Sequence, residues 1–220
     1  MSSKTPDSEA LLPLIERGFF DALEAHRPGL TQQTKARLAE LGPRVSHLVR
    51  TSLDEMHVGY TLLAVAGFEV LAPVDGEVIA MRIVDAALHA PMRAKILEGT
   101  AAMLDAAPDP FAALVSASKD RETSFFGESF DFRRPVDDDH GYVLEIHRCL
   151  YHQVVLACGR PELMPLLCRA DTSWIDAVDP TRHHLKFVRP STFVTASKCR
   201  MWFMRTDGDD AASHEAVHGP

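Results

Sequence analysis

A cysteine and a histidine three residues apart, Cys149 and His152, have the types and spacing of a catalytic pair. They lie where an alternating apolar stretch ends and a helical pattern begins, so both side chains would share one face of the first helical turn. The positive end of the helix dipole and a neighbouring imidazolium both stabilise a thiolate. The pair is therefore typical of a nucleophilic thiol with a proton donor or acceptor beside it.

A second pair, Cys168 and Asp171, follows a Gly-Arg-Pro-Glu segment. Pro161 and Glu162 of that segment suit the first turn of a helix, because proline lacks the N–H that is unused there and the dipole favours an acid. Cys168 would then lie near the end of the helix, where the dipole disfavours a thiolate. It becomes a candidate nucleophile if Asp171 caps a following helix and the chain turns sharply between them.

Structural roles compete with these chemical ones. Free cysteine usually behaves as a small buried hydrophobe, which is the simpler interpretation of Cys158 on an apolar helix and of Cys199 on an apolar strand face. Asp171 and Glu162 have ordinary alternatives as a helix cap and a first-turn acid. The 11 histidines are spread along the whole chain and set no metal-ligand spacing.

The charge of the chain limits its partners. Its 220 residues carry 23 Lys and Arg against 31 Asp and Glu, a formal net charge of −8, which argues against nucleic acid or an anionic membrane as a partner. Four of the acidic residues lie in segment 207–220, which we predict to be a disordered polar tail, and three more form the acidic turn 137–139. We find no secretory signal or spanning apolar run, so we expect a cytoplasmic protein with reduced cysteines.

Most standard enzyme motifs are absent from the sequence. It contains no Gly-rich phosphate loop, dinucleotide fingerprint, nucleophile-elbow serine, His-Glu-x-x-His or Cys-x-x-Cys. We therefore predict no cofactor and expect the partner to be a small-molecule substrate.

The elements that must position the candidate residues change in character halfway along the chain. Apolar residues of the first half recur every three or four positions, which predicts helices. The predicted helices cover residues 12–23, 31–41, 45–56, 77–88, 92–104 and 111–118. Pro28-Gly29, Gly42-Pro43 and the turn from Pro73 to Gly76 separate the first of them.

The second half changes to a period of two. Phe126, Phe130 and Phe132 predict a strand, and residues 142–146 predict its antiparallel partner after the acidic turn. A second pair is predicted at residues 185–189 and 192–204, with Phe193, Cys199, Met201 and Phe203 on one face.

Helices followed by paired strands predict an α+β fold. In it, a helical N-terminal half packs on a small antiparallel sheet, with a helical insert from about Leu150 to Val178 between the two strand pairs. Because no Gly-, Ser- or Pro-rich linker divides the chain, we predict a single domain over residues 1–206.

The C-terminal third contains five short elements in a distinctive order. They are Cys149-x-Tyr151, Gly159-x-Pro161-Glu162-Leu163, Cys168-x-x-Asp171, Phe187-x-Arg189-x-x-Thr192 and Cys199. In this order they resemble the L-2-amino-thiazoline-4-carboxylic acid hydrolase family, mainly over residues 147–203. That family usually has glycines before the last cysteine and Asp-Phe after it, whereas this chain has Ser-Lys before Cys199 and Arg-Met after it.

The resemblance implies a hydrolase that opens a small cyclic amidine bearing a carboxylate, at a carbon–nitrogen or carbon–sulfur bond. The substrate that names the family opens to N-carbamoyl-cysteine. A thiolate would attack the ring carbon bonded to nitrogen and sulfur, an acid would protonate the leaving ring atom, and an arginine would hold the carboxylate.

The resemblance and the residue chemistry together define the candidate site. We expect Cys149 or Cys168 to be the nucleophile, His152 and Asp171 to handle protons, and Arg189 to be the carboxylate clamp. The helix dipole favours Cys149, whereas the Cys-x-x-Asp pairing of the family favours Cys168. The remaining substrate-binding candidates are Tyr151, Glu162 and Thr192.

Two other classes of function remain open. A metal- or haem-binding protein is one alternative, in which Cys149, Cys168, Cys199 and a histidine would converge in space as ligands of a transition metal. A small-molecule binding protein of the same fold without catalysis is the other alternative, because the surroundings of Cys199 depart from the family pattern. The apolar helices of the first half suit either a ligand cavity or a homo-oligomer contact.

Overall fold

A computed structural model describes residues 8–206 and 215–216 of the chain. The α-helices are α1 Ser8–His26, α2 Leu30–Val45, α3 Ser52–Asp75, α4 Glu77–Ala106, α5 Pro110–Arg121, α6 Leu150–Cys158, α7 Met164–Asp171 and α8 Pro180–His183. The strands are β1 Asp131–Asp137, β2 Gly141–Arg148, β3 Leu185–Ser191, β4 Cys199–Arg205 and β5 Glu215–Ala216. Apart from Glu215–Ala216, the predicted polar tail lies outside the described residues.

The chain forms two compact units that alternate along the sequence. Among the described residues, the helical unit comprises residues 8–92 and 150–167, and the sheet unit comprises residues 93–149, 168–206 and 215–216. The single domain over residues 1–206 stays a prediction.

Helix α3 is the central element of the helical unit. It begins with a capping box, in which the Thr51 hydroxyl accepts from the Asp54 backbone N–H and the Asp54 carboxylate accepts from the Thr51 N–H. By length and composition alone α3 could cross a membrane, but 67% of its apolar window is buried, as expected of a core helix. A close contact forms where Phe19 of α1 packs on Gly67, because a Cβ there would lie 2.8 Å from the phenylalanine ring.

Several of the predicted helix boundaries in the first half are wrong. The predicted break at Gly42-Pro43 lies inside α2, and Pro73 of the predicted turn lies inside α3, which ends at Asp75. The helix predicted over residues 45–56 is interrupted, because α2 ends at Val45 and the capping box at Thr51 starts α3. The helices predicted at 77–88 and 92–104 are one helix, α4, which continues through Pro91. The Pro91 ring packs directly against Gly18 of α1, so tertiary packing holds a proline inside the helix despite its missing N–H.

The sheet unit confirms the α+β class. Its strands are ordered β1-β2-β4-β3-β5, and the first four are antiparallel neighbours. One face of the sheet is buried against the Trp174 ring, which stacks on Phe203 at 5.8 Å and meets Phe187 edge-on at 5.1 Å. The helical insert is also confirmed, as α6, α7 and the short 3-10 turns Pro161–Leu163 and Ile175–Ala177.

Two predicted strands start too early. Phe126 belongs to a π-helical turn, Glu122–Phe126, and Phe130 precedes β1, so only Phe132 of the three lies in the strand. The Phe126 ring packs against the other two rings. The strand predicted from residue 192 begins only at Cys199, because Thr192 starts a turn and accepts the backbone N–H groups of Thr195 and Ala196. Phe193 therefore lies outside the strand.

Candidate functional site

Strand β3 carries the residue around which the candidate site is built, Arg189. Its neighbours on the same face, Leu185 and Phe187, are buried. The pairing of β3 with β4 shifts between Val188 and Ser191, so Arg189 lies in an irregular, bulged stretch. Bulges re-aim side chains and are over-represented next to active sites. Arg189 is only 3% exposed, so its guanidinium lies inside the sheet unit.

The Arg189 guanidinium binds two buried cysteines. Nη1 donates to the Cys168 carbonyl oxygen at 2.8 Å, and Nη2 donates to Cys199 Sγ at 3.2 Å. Nη2 also lies 3.7 Å from Asp171 Oδ2, which is an ion-pair distance rather than a hydrogen bond. Cys168 and Cys199 are each 2% exposed. We call Cys168, Asp171, Arg189 and Cys199 the thiol–guanidinium cluster.

Two elements bring the cysteines to Arg189. Cys168 lies in the last turn of α7, where carbonyl groups lack partners within the helix and carry the negative end of the dipole. Its carbonyl accepts from Arg189 and also from the Thr172 hydroxyl, at 3.1 Å. Cys199 is the first residue of β4, opposite Ile146 of β2, and its side chain is on the buried face of the sheet.

The charge of Arg189 is maintained by its neighbours. Burial acts to lower the pKa of Arg189, but the negative charges of Cys199, Asp171 and Cys168, the two cysteines acting only as thiolates, outweigh burial and raise it. The group therefore stays a cation. Its Nε is buried and makes no hydrogen bond to any residue that the structure describes. An unsatisfied buried donor costs about 1–3 kcal/mol, so this N–H favours an acceptor that would complete the cluster.

Both thiols of the cluster are protonated at neutral pH. Burial raises the pKa of Cys168 to about 11, against a partial opposing effect of Arg189. Burial also raises the pKa of Cys199, although the charge and hydrogen bond of Arg189 act to lower it. Asp171 adds to the increase at both sulfurs. A thiolate therefore forms only when a base or a bound substrate takes the proton.

Asp171 is the last residue of α7, so the expectation that it caps a following helix is wrong. The next turn has Trp174 at its N-cap with no side-chain hydrogen bond, and the Trp174 indole donates to the Asp171 carbonyl at 2.9 Å. The Asp171 carboxylate instead lies between two guanidiniums, 3.7 Å from Arg189 and 3.8 Å from Arg121.

Two further candidates from the sequence belong to the sheet unit. Cys149 lies at the junction of β2 and α6, as predicted, three residues beyond the strand partner of Cys199, and it is buried. Thr192 is fully buried, and its hydroxyl oxygen accepts the Val194 backbone N–H in the turn that leads from β3 to β4. Thr192 therefore helps to shape the connection that ends at Cys199.

The remaining three candidates belong to the helical unit. Tyr151 is buried on α6, and its hydroxyl is 2.7 Å from Nδ1 of the fully buried His57 on α3. His152 is half-buried, and burial lowers its pKa, which favours the neutral imidazole. Glu162 is exposed and pairs with Arg160 at 3.5 Å. The structure thus brings Cys168, Asp171 and Arg189 together in the sheet unit. Tyr151, His152 and Glu162 belong to the helical unit instead.

Sequence reasoning missed three residues that the structure singles out. Cys199 closes the order of family elements but is not among the predicted catalytic or substrate-binding residues, because core packing is the simpler local interpretation of its strand face. His57 directly precedes the long apolar run of α3, and a histidine in that position is a signal for a buried polar partner. Arg121 has no local signal, because its partner Asp171 is far away in the sequence.

The described part of the chain contains no group of three His, Cys, Asp or Glu side chains arranged to hold a metal ion. The positive charge beside the two cysteines of the cluster comes from the guanidinium of Arg189.

Comparison with known proteins identifies one family. The model of the L-2-amino-thiazoline-4-carboxylic acid hydrolase family matches residues 57–203, about two thirds of the chain. This match contains the whole thiol–guanidinium cluster. No curated protein and no solved structure matches the chain.

Proposed function

Because the chain belongs to the L-2-amino-thiazoline-4-carboxylic acid hydrolase family, we propose that it hydrolyses a small cyclic amidine bearing a carboxylate, and that the thiol–guanidinium cluster is its active site. One observation carries the proposal: Arg189 Nη2 donates to Cys199 Sγ at 3.2 Å inside a buried cluster. A cation that donates a hydrogen bond to sulfur favours the thiolate, which is the nucleophilic form of cysteine.

Cys199 is the proposed nucleophile. Its sulfur holds the hydrogen bond from Arg189, whereas Cys168 offers Arg189 its carbonyl oxygen. Cys149 and Cys168 are the competing nucleophiles, and the test below separates all three.

The first step forms one bond and breaks another. The Cys199 sulfur bonds to the amidine carbon, the ring carbon–sulfur bond breaks, and the ring sulfur leaves with the proton that Cys199 gives up. The product of this step is an enzyme-bound isothiourea that has gained the whole mass of the substrate. In the second step water adds to the same carbon, the bond to Cys199 breaks, and the cysteine recovers its proton. The sum is substrate plus water giving a ring-opened carbamoyl thiol.

Asp171 is the proposed proton handler. Its carboxylate lies beside the same guanidinium nitrogen that contacts Cys199, at 3.7 Å, so both groups face one charge. In its ionised form it accepts the thiol proton and delivers it to the departing ring sulfur. Arg189 balances the negative charge throughout. Its Nε–H, which has no partner among the described residues, is left as a donor for an acceptor atom of the substrate.

The test is product analysis with purified protein and L-2-amino-thiazoline-4-carboxylate. After the protein is filtered off, a thiol reagent measures ring carbon–sulfur cleavage and an ammonia assay measures loss of the exocyclic nitrogen. We expect thiol without ammonia, and a loss of at least about a thousandfold in rate for Cys199→Ser.

The matched variants separate the three thiols. Cys158→Ser alters a buried cysteine of α6, outside the cluster, and should keep the wild-type rate. A wild type that opens no ring in a panel of cyclic amidines contradicts the hydrolase. Full loss in Cys149→Ser or in Cys168→Ser, with normal turnover in Cys199→Ser, would transfer the nucleophile to the cysteine whose replacement abolishes turnover.

A further inference from the structure

A second arginine, Arg121, extends the thiol–guanidinium cluster toward solvent. It is the last residue of α5, and its Nη2 lies 3.8 Å from Asp171 Oδ1. The Arg121 side chain is 39% exposed, against 12% for Asp171 and 3% for Arg189. The order Arg121, Asp171, Arg189 and Cys199 therefore leads from an accessible cation to a buried sulfur.

Two aromatic rings hold the Arg121 guanidinium in place. Its central carbon lies 5.1 Å from the Phe125 ring centroid and 5.2 Å from that of Phe126. Both rings come from the π-helical turn Glu122–Phe126, which follows Arg121 directly, and such turns occur frequently at functional sites. Stacking on ring faces orients a guanidinium and leaves its N–H edge to meet a planar anion such as a carboxylate.

The charges around Asp171 are not balanced. Arg121 and Arg189 contribute +2 and Asp171 contributes −1, which leaves +1 for this trio while the thiols are protonated. Both ion pairs are longer than a hydrogen bond, so Asp171 does not occupy the donors of either guanidinium. Arg189 uses its two terminal nitrogens on Cys168 and Cys199, whereas Arg121 is accessible to an incoming ligand.

We propose that Arg121 binds the carboxylate of the substrate and makes the enzyme specific for heterocycles that carry one. This inference rests on the proposed function. It gives to Arg121 the role that the sequence assigns to Arg189, and it leaves Arg189 to stabilise the Cys199 thiolate. The unbalanced positive charge is then neutralised by the substrate itself.

The experiment compares two substrates that differ only in the carboxylate: L-2-amino-thiazoline-4-carboxylate and 2-aminothiazoline. Arg121→Gln should lower kcat/KM for the first by about 10- to 100-fold, mainly through KM, because a charge-assisted hydrogen bond is lost. Its kcat/KM for the second should stay within about twofold of wild type. Arg121→Lys should recover part of the loss, because it restores the charge without the planar fork.

The matched control is Arg133→Gln, which removes an exposed arginine of the same unit that lies 3.9 Å from Asp131. It should change neither substrate. Equal losses on both substrates, or no loss, for Arg121→Gln in protein with wild-type melting behaviour would contradict carboxylate binding by Arg121. Such a result would not affect the proposed hydrolase activity. A wild type inert on both substrates contradicts the proposed function. In that case, calorimetry of binding of the two compounds tests the role of Arg121 separately. Binding that does not depend on the carboxylate would overturn that role.

Discussion

Replacing Asp171 with asparagine removes the counter-ion of Arg189 with almost no change in shape. The two charges are 3.7 Å apart, and Arg189 is buried. At an effective dielectric constant of about 20 that separation corresponds to about 4.5 kcal/mol. Breaking a buried ion pair by removing one partner typically costs about 3–5 kcal/mol. We therefore expect Asp171→Asn to lower the free energy of unfolding by about 3–4 kcal/mol.

A second variant distinguishes this charge effect from a packing effect. Arg189→Met removes the buried cation, and the Cys168 carbonyl keeps its hydrogen bond from the Thr172 hydroxyl. In that background Asp171→Asn should cost less than about 1 kcal/mol, because no stranded cation remains. Urea denaturation of the four proteins measures the coupling directly.

Asp176→Asn is the matched control, because Asp176 forms an exposed pair with Arg93 at 2.7 Å. Exposed pairs contribute about 0–1 kcal/mol, so this variant should unfold almost as wild type does. A cost for Asp171→Asn that is no larger than the control, with no coupling to Arg189→Met, would refute the buried charge pair. The stranded Arg189 should also speed alkylation of Cys199, because Asp171 acts to raise the pKa of that thiol.

Three further predictions concern stability. Burial raises the pKa of Cys168 from 9.0 to about 11, so its neutral thiol stabilises the fold fully below pH 9, and about 2–3 kcal/mol of the free energy of unfolding should be lost as the pH rises to about 11. Cys168→Ser should flatten this part of the dependence of stability on pH. A dependence that is unchanged in the variant would contradict the shift in pKa. Lys198, Arg200 and His147 hold the pKa of Glu145 at about 2 instead of 4.5, so the stability from these contacts should be present above pH 4.5 and fall as the pH drops toward 2. Glu145→Gln should remove this acid dependence. Equal midpoints of acid unfolding for the wild type and the variant would show that the contacts contribute nothing. Thr51→Ala removes the N-cap of α3 and should cost about 1 kcal/mol by urea denaturation, whereas a loss below about 0.3 kcal/mol would contradict the capping box.

Local patterns predicted the class of the fold but not every boundary. The three- and four-residue period identified the helices, and the change to a period of two identified the sheet. Pro91 misled the prediction because its ring packs against Gly18 from another helix, and no local signal reports such a contact. Phe126 misled it because aromatic packing with Phe130 and Phe132 mimics the spacing of a strand.

The candidate site was predictable where it depended on order along the chain. Cys168, Asp171 and Arg189 fell in the elements that resemble the family, and the structure brings them together. The hydrogen bond from Arg189 to Cys199 depends on the irregular pairing of β3 with β4, which strand periodicity does not reveal. The contact of Arg121 with Asp171 could not be predicted from the sequence either, because only the folded chain places the two residues side by side.

The most direct test of the account is to find which sulfur carries the substrate during turnover. The reaction with L-2-amino-thiazoline-4-carboxylate is stopped by acid, and the digested protein is analysed by mass spectrometry. We expect an adduct of the full substrate mass on the peptide that contains Cys199, and no adduct in Cys199→Ser. An adduct on Cys149 or Cys168, or turnover that proceeds unchanged in Cys199→Ser, would contradict it.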